Sequence, residues 1–333
     1  MSVIYTEEQE MLRAAARDFL EKECPDSVLK DIENSGMGYS PDLWKKIADL
    51  GWLGLVYPEK YGGAGMNLID LSIIYEEFGR AMFPSPYTST VVLSGMTILD
   101  AGNDEQKESV LPEIAAGNEI IALIVNEPEL GSADTAVNPV IVTIKAGKDG
   151  EDYIIEGSKQ FVQHAGIAGK YLVPAITSNG SRPEENITLF LVDSRSAGIS
   201  NTHLDTVSGD SQYEVVFDKV RASSKDIIGE VNRGWTPLAR SLQIAAVMSS
   251  AQMLGAGQEL LELTIEDAEA RSQYDAKGID KYTEDHIESL RRDVEYCREV
   301  IYRAASQLEA GEPCDFEGTV VKSWREFAGK NAR

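Results

Sequence analysis

The sequence predicts an α+β chain of three domains, with helices at both ends and strands in the middle. Apolar residues recur at helical spacing over 1–118 and predict an all-helical N-terminal domain. Short runs rich in β-branched and aromatic residues fill 119–230 and predict an antiparallel β-barrel or sandwich. Helical patterns return over 231–333 and predict a C-terminal domain of the four-helix-bundle type.

Helix start signals support the first domain. Thr6 and Gln9 have the spacing of a capping box, in which each side chain satisfies a free backbone donor of the other residue. Ser40-Pro41 places an N-cap serine before a proline at the first helical position. Further helices are predicted over 67–82, 87–101 and 103–116.

The middle domain is predicted from runs that Gly, Asp, Asn and Ser interrupt at strand length. A short apolar run, IIALIVNEP, comes first. The runs after it are PVIVTIKAG, DYIIEGSKQFV, KYLVPAITS, NITLFLVD and YEVVFDKV. This pattern predicts five or six antiparallel strands.

The last domain begins after Gly234 with one long helical stretch. Small residues in its first half allow a neighbouring helix to approach closely, and they are Ala245, Ala246, Ser249, Ser250, Ala251, Gly255 and Ala256. A second helix is predicted over 283–310. A third begins near residue 315 and has no stop signal at Arg333, so we expect this domain to be incomplete at residue 333.

Composition and charge exclude several classes of protein. Fifty-five acidic against 31 basic residues give a net charge of −24, which argues against nonspecific binding to nucleic acid or to an anionic membrane. No run of about 18 apolar residues predicts a membrane span. The three cysteines are far apart and form no CxxC pair, so we expect neither a metal site nor a disulfide framework. The N-terminal residues MSVIYTEEQEM do not resemble a signal or transit peptide, and we expect a cytoplasmic protein.

Several segments, in the right order over the whole chain, resemble the acyl-CoA dehydrogenase family. LWKKIADLGWLGLVYPEKYGGAGMNLIDLSIIYEEFGRA resembles the helix–loop–helix signature of that family. AGNDEQKESVLPEIAAGNEIIALIVNEPELGSAD is similar to the segment that leads into its β domain. YEVVFDKVRAS and GEVNRGW are similar to the segments that leave it, and ARSQY resembles an Arg-x-Gln-Phe motif.

The resemblance implies a flavoprotein that removes two hydrogens from an acyl-CoA thioester. In the family a glutamate abstracts the proton alpha to the carbonyl, and the hydride of the beta carbon passes to FAD. The family is generally tetrameric, with each FAD at an interface between two subunits. An electron-transferring flavoprotein is the electron acceptor that the family implies.

Eight residues match cofactor positions of the family: Val125, Asn126, Ser132, Phe161, Gln163, Arg271, Gln273 and Tyr274. Ser132 also matches a substrate contact. The alternative interpretations are a strand-ending turn for Val125-Asn126, a turn residue for Ser132 and a core residue for Phe161. Asn126 and Gln163 stand where the family has hydroxyl side chains, and Ala133 stands where it usually has an aspartate, so the flavin contacts differ from the family pattern.

Arg271, Gln273 and Tyr274 match the best-preserved cofactor motif. In the family this segment reaches the pyrophosphate and adenosine of the FAD of the neighbouring subunit. A guanidinium suits phosphate oxygens in a bidentate geometry, and an aromatic ring suits an adenine face. The alternative is a solvated charge at a helix end.

No catalytic base is identified. One family position falls on Gln243-Ile244-Ala245-Ala246, which contains no carboxylate, and Ala246 replaces an arginine that helps to hold CoA. The other family position would lie beyond Arg333. His164 is interpreted as a loop histidine, and His203 and His286 are isolated. The carboxylates predicted to form a solvated helix face are Glu259, Glu262, Glu266 and Glu269.

Three functions remain open. The chain is either the subunit without a catalytic base in a heteromeric acyl-CoA dehydrogenase, or a self-sufficient homotetrameric enzyme with its glutamate beyond residue 333, or a non-catalytic binding or scaffold homologue. Asn126, Ala133, Gln163 and Ala246 favour the first, because all four depart from the family pattern. The segment GRAMFPSPYTSTVVL also resembles members of that heteromeric group.

Overall fold

The computed structural model describes residues 5–125, 142–207, 209–272 and 281–312, with the backbone alone for Arg271 and Ser272. Within these residues the helices are α1 Glu7–Glu23, α2 Asp26–Ser35, α3 Pro41–Asp49, α4 Leu68–Arg80, α5 Met96–Ala101, α6 Asp104–Ala115, α7 Trp235–Ser272 and α8 Lys281–Glu309. The strands are β1 Ile121–Leu123, β2 Lys145–Asp149, β3 Asp152–Gln163, β4 Lys170–Ile176, β5 Ile187–Asp193, β6 Ile199–Leu204, β7 Gln212–Ala222 and β8 Ile227–Ile228. The predicted order of helices, strands and helices is confirmed.

The predicted helix starts are confirmed in atomic detail. The Gln9 backbone N–H donates to Thr6 Oγ1 at 3.2 Å, and the Thr6 N–H donates to Gln9 Oε1 at 3.1 Å, which completes the capping box of α1. The Leu43 N–H donates to Ser40 Oγ at 3.3 Å, and Pro41 is the first residue of α3. The sequence analysis did not identify α2.

The described parts of the chain fall into two compact units. The first combines Met1–Asp26, Asn67–Phe83 and Ala246–Arg333, and the second combines Ser27–Met66 and Pro84–Ala245. The first therefore contains α1, α4, α8 and the part of α7 from Ala246 onwards. The second contains the strands, with α3, α5 and α6.

Two of the buried carboxylates of α4, in the first unit, have cationic partners. Glu76 and Glu77 are 3% and 1% exposed. Arg298 Nη2 of α8 donates to Glu76 Oε1 at 2.8 Å, and Arg17 Nη2 of α1 donates to Glu77 Oε1 at 2.8 Å. The Tyr302 hydroxyl also donates to Glu76 Oε2 at 3.2 Å. A buried carboxylate without such partners would cost several kcal/mol, so these contacts fix how α1 and α8 pack on α4.

Two glycines bring α4 and α7 into backbone contact within the first unit. A Cβ atom placed on Gly255 would lie 1.7 Å from the Glu76 carbonyl oxygen, and one placed on Gly79 would lie 1.7 Å from the Gln252 carbonyl oxygen. Only a hydrogen fits at either position. The predicted close approach of another helix to the small residues of α7 is therefore confirmed at Gly255.

The second unit is built on one mixed sheet. Its strand order is β6-β7-β3-β2-β4-β5-β8, and β1 pairs with β4. Most neighbours are antiparallel, as predicted, but β1 and β2 both run parallel to β4. The long pair of β3 and β7 has two register shifts, one between Ile155 and Gly157 and one between Lys159 and Val162. The second shift lies within the last five residues of β3, which ends at Gln163.

A π-helix over Thr88–Gly95 covers the edge of β1 that does not face β4. Thr90 Oγ1 accepts from the Ile121 N–H at 3.2 Å and donates to the Ile121 carbonyl at 3.3 Å. The Tyr57 hydroxyl donates to the Val91 carbonyl at 2.8 Å and holds the π-helix itself. The sequence analysis predicted one helix over 87–101, whereas the structure has this π-helix followed by α5.

Among the described residues, no helix has both the length and the apolar character needed to cross a membrane. In the same residues, no group of three or more His, Cys, Asp and Glu side chains is arranged to hold a metal ion.

Gly255→Ala tests the helix contact in the first unit. Alanine is normally preferred over glycine inside a helix by about 1 kcal/mol. Here we expect the free energy of unfolding to fall by about 3 kcal/mol, because the added methyl group overlaps the Glu76 carbonyl. Urea denaturation followed by circular dichroism measures this change.

The matched control is Ala256→Ser at the adjacent exposed position of the same helix. It should change stability by no more than about 0.5 kcal/mol. A Gly255→Ala variant as stable as the parent chain would contradict the proposed backbone contact.

Candidate functional site

The structure describes three of the eight predicted cofactor residues in full, and all three belong to the second unit. They are Val125, Phe161 and Gln163. Arg271 lies near the end of α7, where the backbone alone is described. Asn126, Ser132, Gln273 and Tyr274 lie outside the described residues.

Val125 follows β1, and the π-helix contacts at Ile121 therefore help to position it. Its side chain is 6% exposed, so it packs in the core. Its backbone N–H donates to the Leu123 carbonyl at 3.1 Å. In this conformation the Val125 N–H is therefore already hydrogen-bonded within the chain.

Phe161 lies in the irregular part of β3, between residues that pair with β7. Its φ is +57°, which is rare for a residue with a side chain, and it falls within the register shift between Lys159 and Val162. The ring is 53% exposed, whereas the neighbouring Val162 is fully buried. Phe161 is therefore not a core residue of this unit, and the core interpretation of it is wrong.

Gln163 is the last residue of β3 and pairs with Gln212, the first residue of β7. It is half-buried. Its amide can donate and accept hydrogen bonds, but it is larger than a Ser or Thr hydroxyl.

His164 follows directly, in a turn and with φ of +57°. Its backbone N–H donates to the Ser211 carbonyl at 3.0 Å. Burial lowers the pKa of His164 to about 4, against an opposing effect of the Asp210 carboxylate. The predicted loop position is right, but the ring is directed into the protein and is neutral at physiological pH.

Three polar side-chain atoms at the end of β3 and the start of β7 are buried without a hydrogen-bond partner among the described residues. They are His164 Nδ1, Ser211 Oγ and Gln212 Oε1. Sequence reasoning did not identify Ser211 or Gln212, because their proximity to His164 depends on the register of β3 against β7 and has no local signal.

The family position for a base on α7 carries no carboxylate. Ile244 and Ala245 are 1% and 7% exposed, and Gln243 and Ala246 are exposed. None of these four side chains can accept a proton from a carbon acid at neutral pH.

The predicted solvated carboxylates of α7 are not all solvated. Glu259 and Glu262 both bind Arg80 Nη2 of α4, at 2.7 and 2.6 Å, within the first unit. Partial burial is the largest single effect on Glu262 and raises its pKa, but the hydrogen bonds from Arg80 and Gln258, together with the positive charges of Arg80 and Arg17, outweigh it and lower the pKa. These two carboxylates are structural partners of Arg80, whereas Glu266 and Glu269 are exposed as predicted.

The described residues fit a flavin in the chemistry they present. A flavin ring system requires an apolar or aromatic surface for its face and hydrogen-bonding groups for its polar edge. Phe161 offers an uncovered aromatic ring, and Gln163 offers an amide two residues away at the end of the same strand. The pairing with β7 holds the backbone on which these groups depend.

Family models match the chain in three consecutive parts. The acyl-CoA dehydrogenase N-terminal domain matches residues 6–118, the middle domain matches 122–220 and the C-terminal domain matches 232–329. These matches cover both helical parts and the strands.

Curated relatives and solved structures are similar over nearly the whole chain. The 3-(aryl)acrylate reductase of Clostridium sporogenes is 28% identical over 337 residues, covering 99% of this chain and 86% of the relative. The caffeyl-CoA reductase-Etf complex subunit CarC of Acetobacterium woodii is 28% identical over 326 residues, covering 96% and 84%. Butyryl-CoA dehydrogenase of Megasphaera elsdenii has the same fold, with a TM-score of 0.84, 24% identity and coverage of 98% and 86%.

The lowered pKa of His164 predicts a specific loss of stability in acid. The unfolded histidine binds a proton near pH 6.5 and the folded one only near pH 4, so stability is complete above 6.5 and declines as the pH falls towards 4. His164→Asn removes the titration and keeps a residue type that tolerates positive φ. The advantage of the parent chain over this variant should shrink by about 3 kcal/mol between pH 7 and pH 4.

Urea denaturation of both proteins at several pH values measures this difference. Because acid also protonates other groups in both proteins, the comparison isolates the contribution of His164. A difference that stays constant over this range would show that the ring is not held neutral by burial.

Proposed function

Because this chain belongs to the acyl-CoA dehydrogenase family, we propose that it is the subunit without a catalytic base in a heteromeric, FAD-dependent acyl-CoA dehydrogenase. The reaction interconverts an acyl-CoA thioester and its α,β-unsaturated product. The observation that carries the proposal is the absence of a carboxylate at Gln243, Ile244, Ala245 and Ala246 of α7.

The residues around the end of β3 support a role in holding FAD. Phe161 would cover one face of the flavin ring with its exposed aromatic surface. Gln163 and Asn126 would donate amide hydrogens to the polar edge, where relatives use hydroxyl groups. Ser132 would contact both flavin and substrate. FAD, when bound, accepts the hydride, and this chain's side chains orient it and keep water away.

The C-terminal part of α7 would serve the FAD of a neighbouring subunit. Arg271 would bind the pyrophosphate with its guanidinium, and Tyr274 would cover the adenine face beside Gln273. This arrangement places one cofactor between two subunits. It explains how a chain without a base still contributes to a complete site.

The partners follow from the same assignment. A second, base-bearing acyl-CoA dehydrogenase subunit completes a tetramer, and an acyl-CoA is the substrate. One relative is named as a subunit of a caffeyl-CoA reductase-Etf complex, which supports an electron-transferring flavoprotein as the redox partner. Both curated relatives described above are named as reductases, so the complex should be assayed in both directions. We place the complex in the cytoplasm.

Purification of the chain alone and with a base-bearing family subunit tests this function. Alone, the chain should be colourless and should not reduce an electron acceptor with acyl-CoA. Co-purified with its partner, it should be yellow and active. Activity of the chain alone would show a self-sufficient enzyme, and absence of flavin with every partner would show a scaffold protein.

Arg271→Ala tests the interface contact with FAD. Loss of a charge-assisted hydrogen bond costs about 1.5–3 kcal/mol, so FAD should be retained roughly ten- to a hundredfold more weakly by the assembled complex. Flavin absorbance after gel filtration measures retention. Arg303→Ala is the control, because Arg303 is an exposed arginine on α8 that pairs with Glu299 at 2.8 Å. Unchanged flavin content in Arg271→Ala would refute the role given to this residue.

A further inference from the structure

The connection between β4 and β5 contains an asparagine followed by a glycine, Asn179-Gly180. It is the only Asn-Gly pair in the sequence. Asn179 is exposed, whereas Asn186, at the other end of the connection, is 7% exposed. An asparagine before glycine is the kind most prone to lose its side-chain amide, because a residue without a side chain leaves its backbone nitrogen accessible and free to turn.

This reaction needs no reagent other than water. The Gly180 backbone nitrogen gives up its proton to solvent and bonds to Cγ of the Asn179 side chain. The bond from Cγ to Nδ2 breaks, Nδ2 takes up a proton, and ammonia leaves a cyclic succinimide behind. Water then opens the ring at one carbonyl or the other, which gives aspartate or isoaspartate. Either product adds a negative charge to the chain.

In the folded chain the attacking nitrogen is already hydrogen-bonded. The Gly180 N–H donates to Asn186 Oδ1 at 2.7 Å, and Asn186 Nδ2 donates back to the Gly180 carbonyl at 2.9 Å. The Ser178 hydroxyl donates to the same Oδ1 at 2.7 Å and helps to hold the asparagine side chain. A nitrogen that donates a short hydrogen bond to Asn186 loses its proton less readily and is not free to turn towards Asn179.

We propose that Asn179 is a site of spontaneous deamidation and that Asn186 keeps this reaction slow in the folded chain. Modification then follows only when the hydrogen bond between Gly180 and Asn186 opens. A hydrogen bond of this kind slows a reaction that requires its opening by about tenfold or more. The sequence alone shows the reactive pair, but only the fold shows the residue that protects it.

The same connection is tied to the chain that enters α7, within the second unit. Thr177 Oγ1 donates to Asn232 Oδ1 at 2.7 Å, and the Asn232 N–H donates to Thr188 Oγ1 at 2.8 Å. Asn186 takes part, because its carbonyl accepts from the Thr177 N–H at 2.8 Å. An isoaspartate at residue 179 lengthens the backbone by one carbon, so we expect it to weaken these contacts.

Asn186→Ala tests the protection in the full chain. Parent and variant are incubated at neutral pH, circular dichroism shows that each is folded, and peptide mass spectrometry measures deamidation at residue 179. We expect Asn186→Ala to deamidate about tenfold faster than the parent. Asn186→Asp keeps an oxygen that accepts from the Gly180 N–H and should stay near the parent rate. Ser178→Ala is the matched control, because it removes another hydrogen bond to Asn186 Oδ1 and leaves the one from Gly180.

Two outcomes of this comparison would overturn the proposal. One is an unchanged rate in Asn186→Ala, and the other is an Asn186→Asp variant as fast as Asn186→Ala. The parent chain unfolded in guanidinium chloride gives a reference that needs no variant. The folded parent should deamidate at least about tenfold more slowly than this reference. Equal rates in the folded and unfolded parent would also overturn the proposal.

The effect on the neighbouring contacts is measured on the isoaspartate form, separated by ion-exchange chromatography. Its urea midpoint should lie below that of Asn179→Asp, which has the same charge on an ordinary backbone. Equal midpoints would contradict the expected weakening of the contacts at Thr177 and Asn232. None of these readouts requires flavin, acyl-CoA or a partner subunit, so the result is independent of the proposed function.

Discussion

Both units depend on one constraint, which is that a polar group removed from water needs a hydrogen-bonding or charged partner. The two hydrogen bonds between Thr90 and the backbone of Ile121 satisfy this constraint at the buried strand β1. Among the strands that the structure describes, β1 pairs with β4 alone, and the π-helix supplies hydroxyl groups on the other side of β1. In the first unit the same constraint joins Glu76 to Arg298 and Tyr302.

Local chemistry made much of the fold predictable. Capping at Thr6 and Ser40 depends on residues three positions apart, and the close contact at Gly255 depends on small residues along one helix. The π-helix was not predictable, because the spacing of apolar residues over 87–101 does not distinguish its wider turn from an ordinary α-helical turn. Its formation depends on contacts with Tyr57 and with β1, which are distant in sequence.

In the candidate site, too, features set by local sequence were predictable and features set by residues distant in sequence were not. Motif resemblance selected Phe161, and its exposed ring in an irregular part of β3 agrees with a surface that binds a ligand. Ser211 and Gln212 have no motif, since strand register alone brings them to His164. The prediction of a solvated carboxylate face failed at Glu259 and Glu262 because Arg80, on another helix, lies within ion-pair distance.

The proposal that this chain contributes no base to the reaction is tested most directly by single-turnover flavin reduction. The measurement uses the assembled complex with the catalytic glutamate of the partner subunit replaced by glutamine. The account predicts that acyl-CoA no longer bleaches the flavin absorbance, because α7 offers only Gln, Ile and two Ala residues where a base would stand. Flavin reduction at an undiminished rate would contradict it, since the base would then belong to this chain.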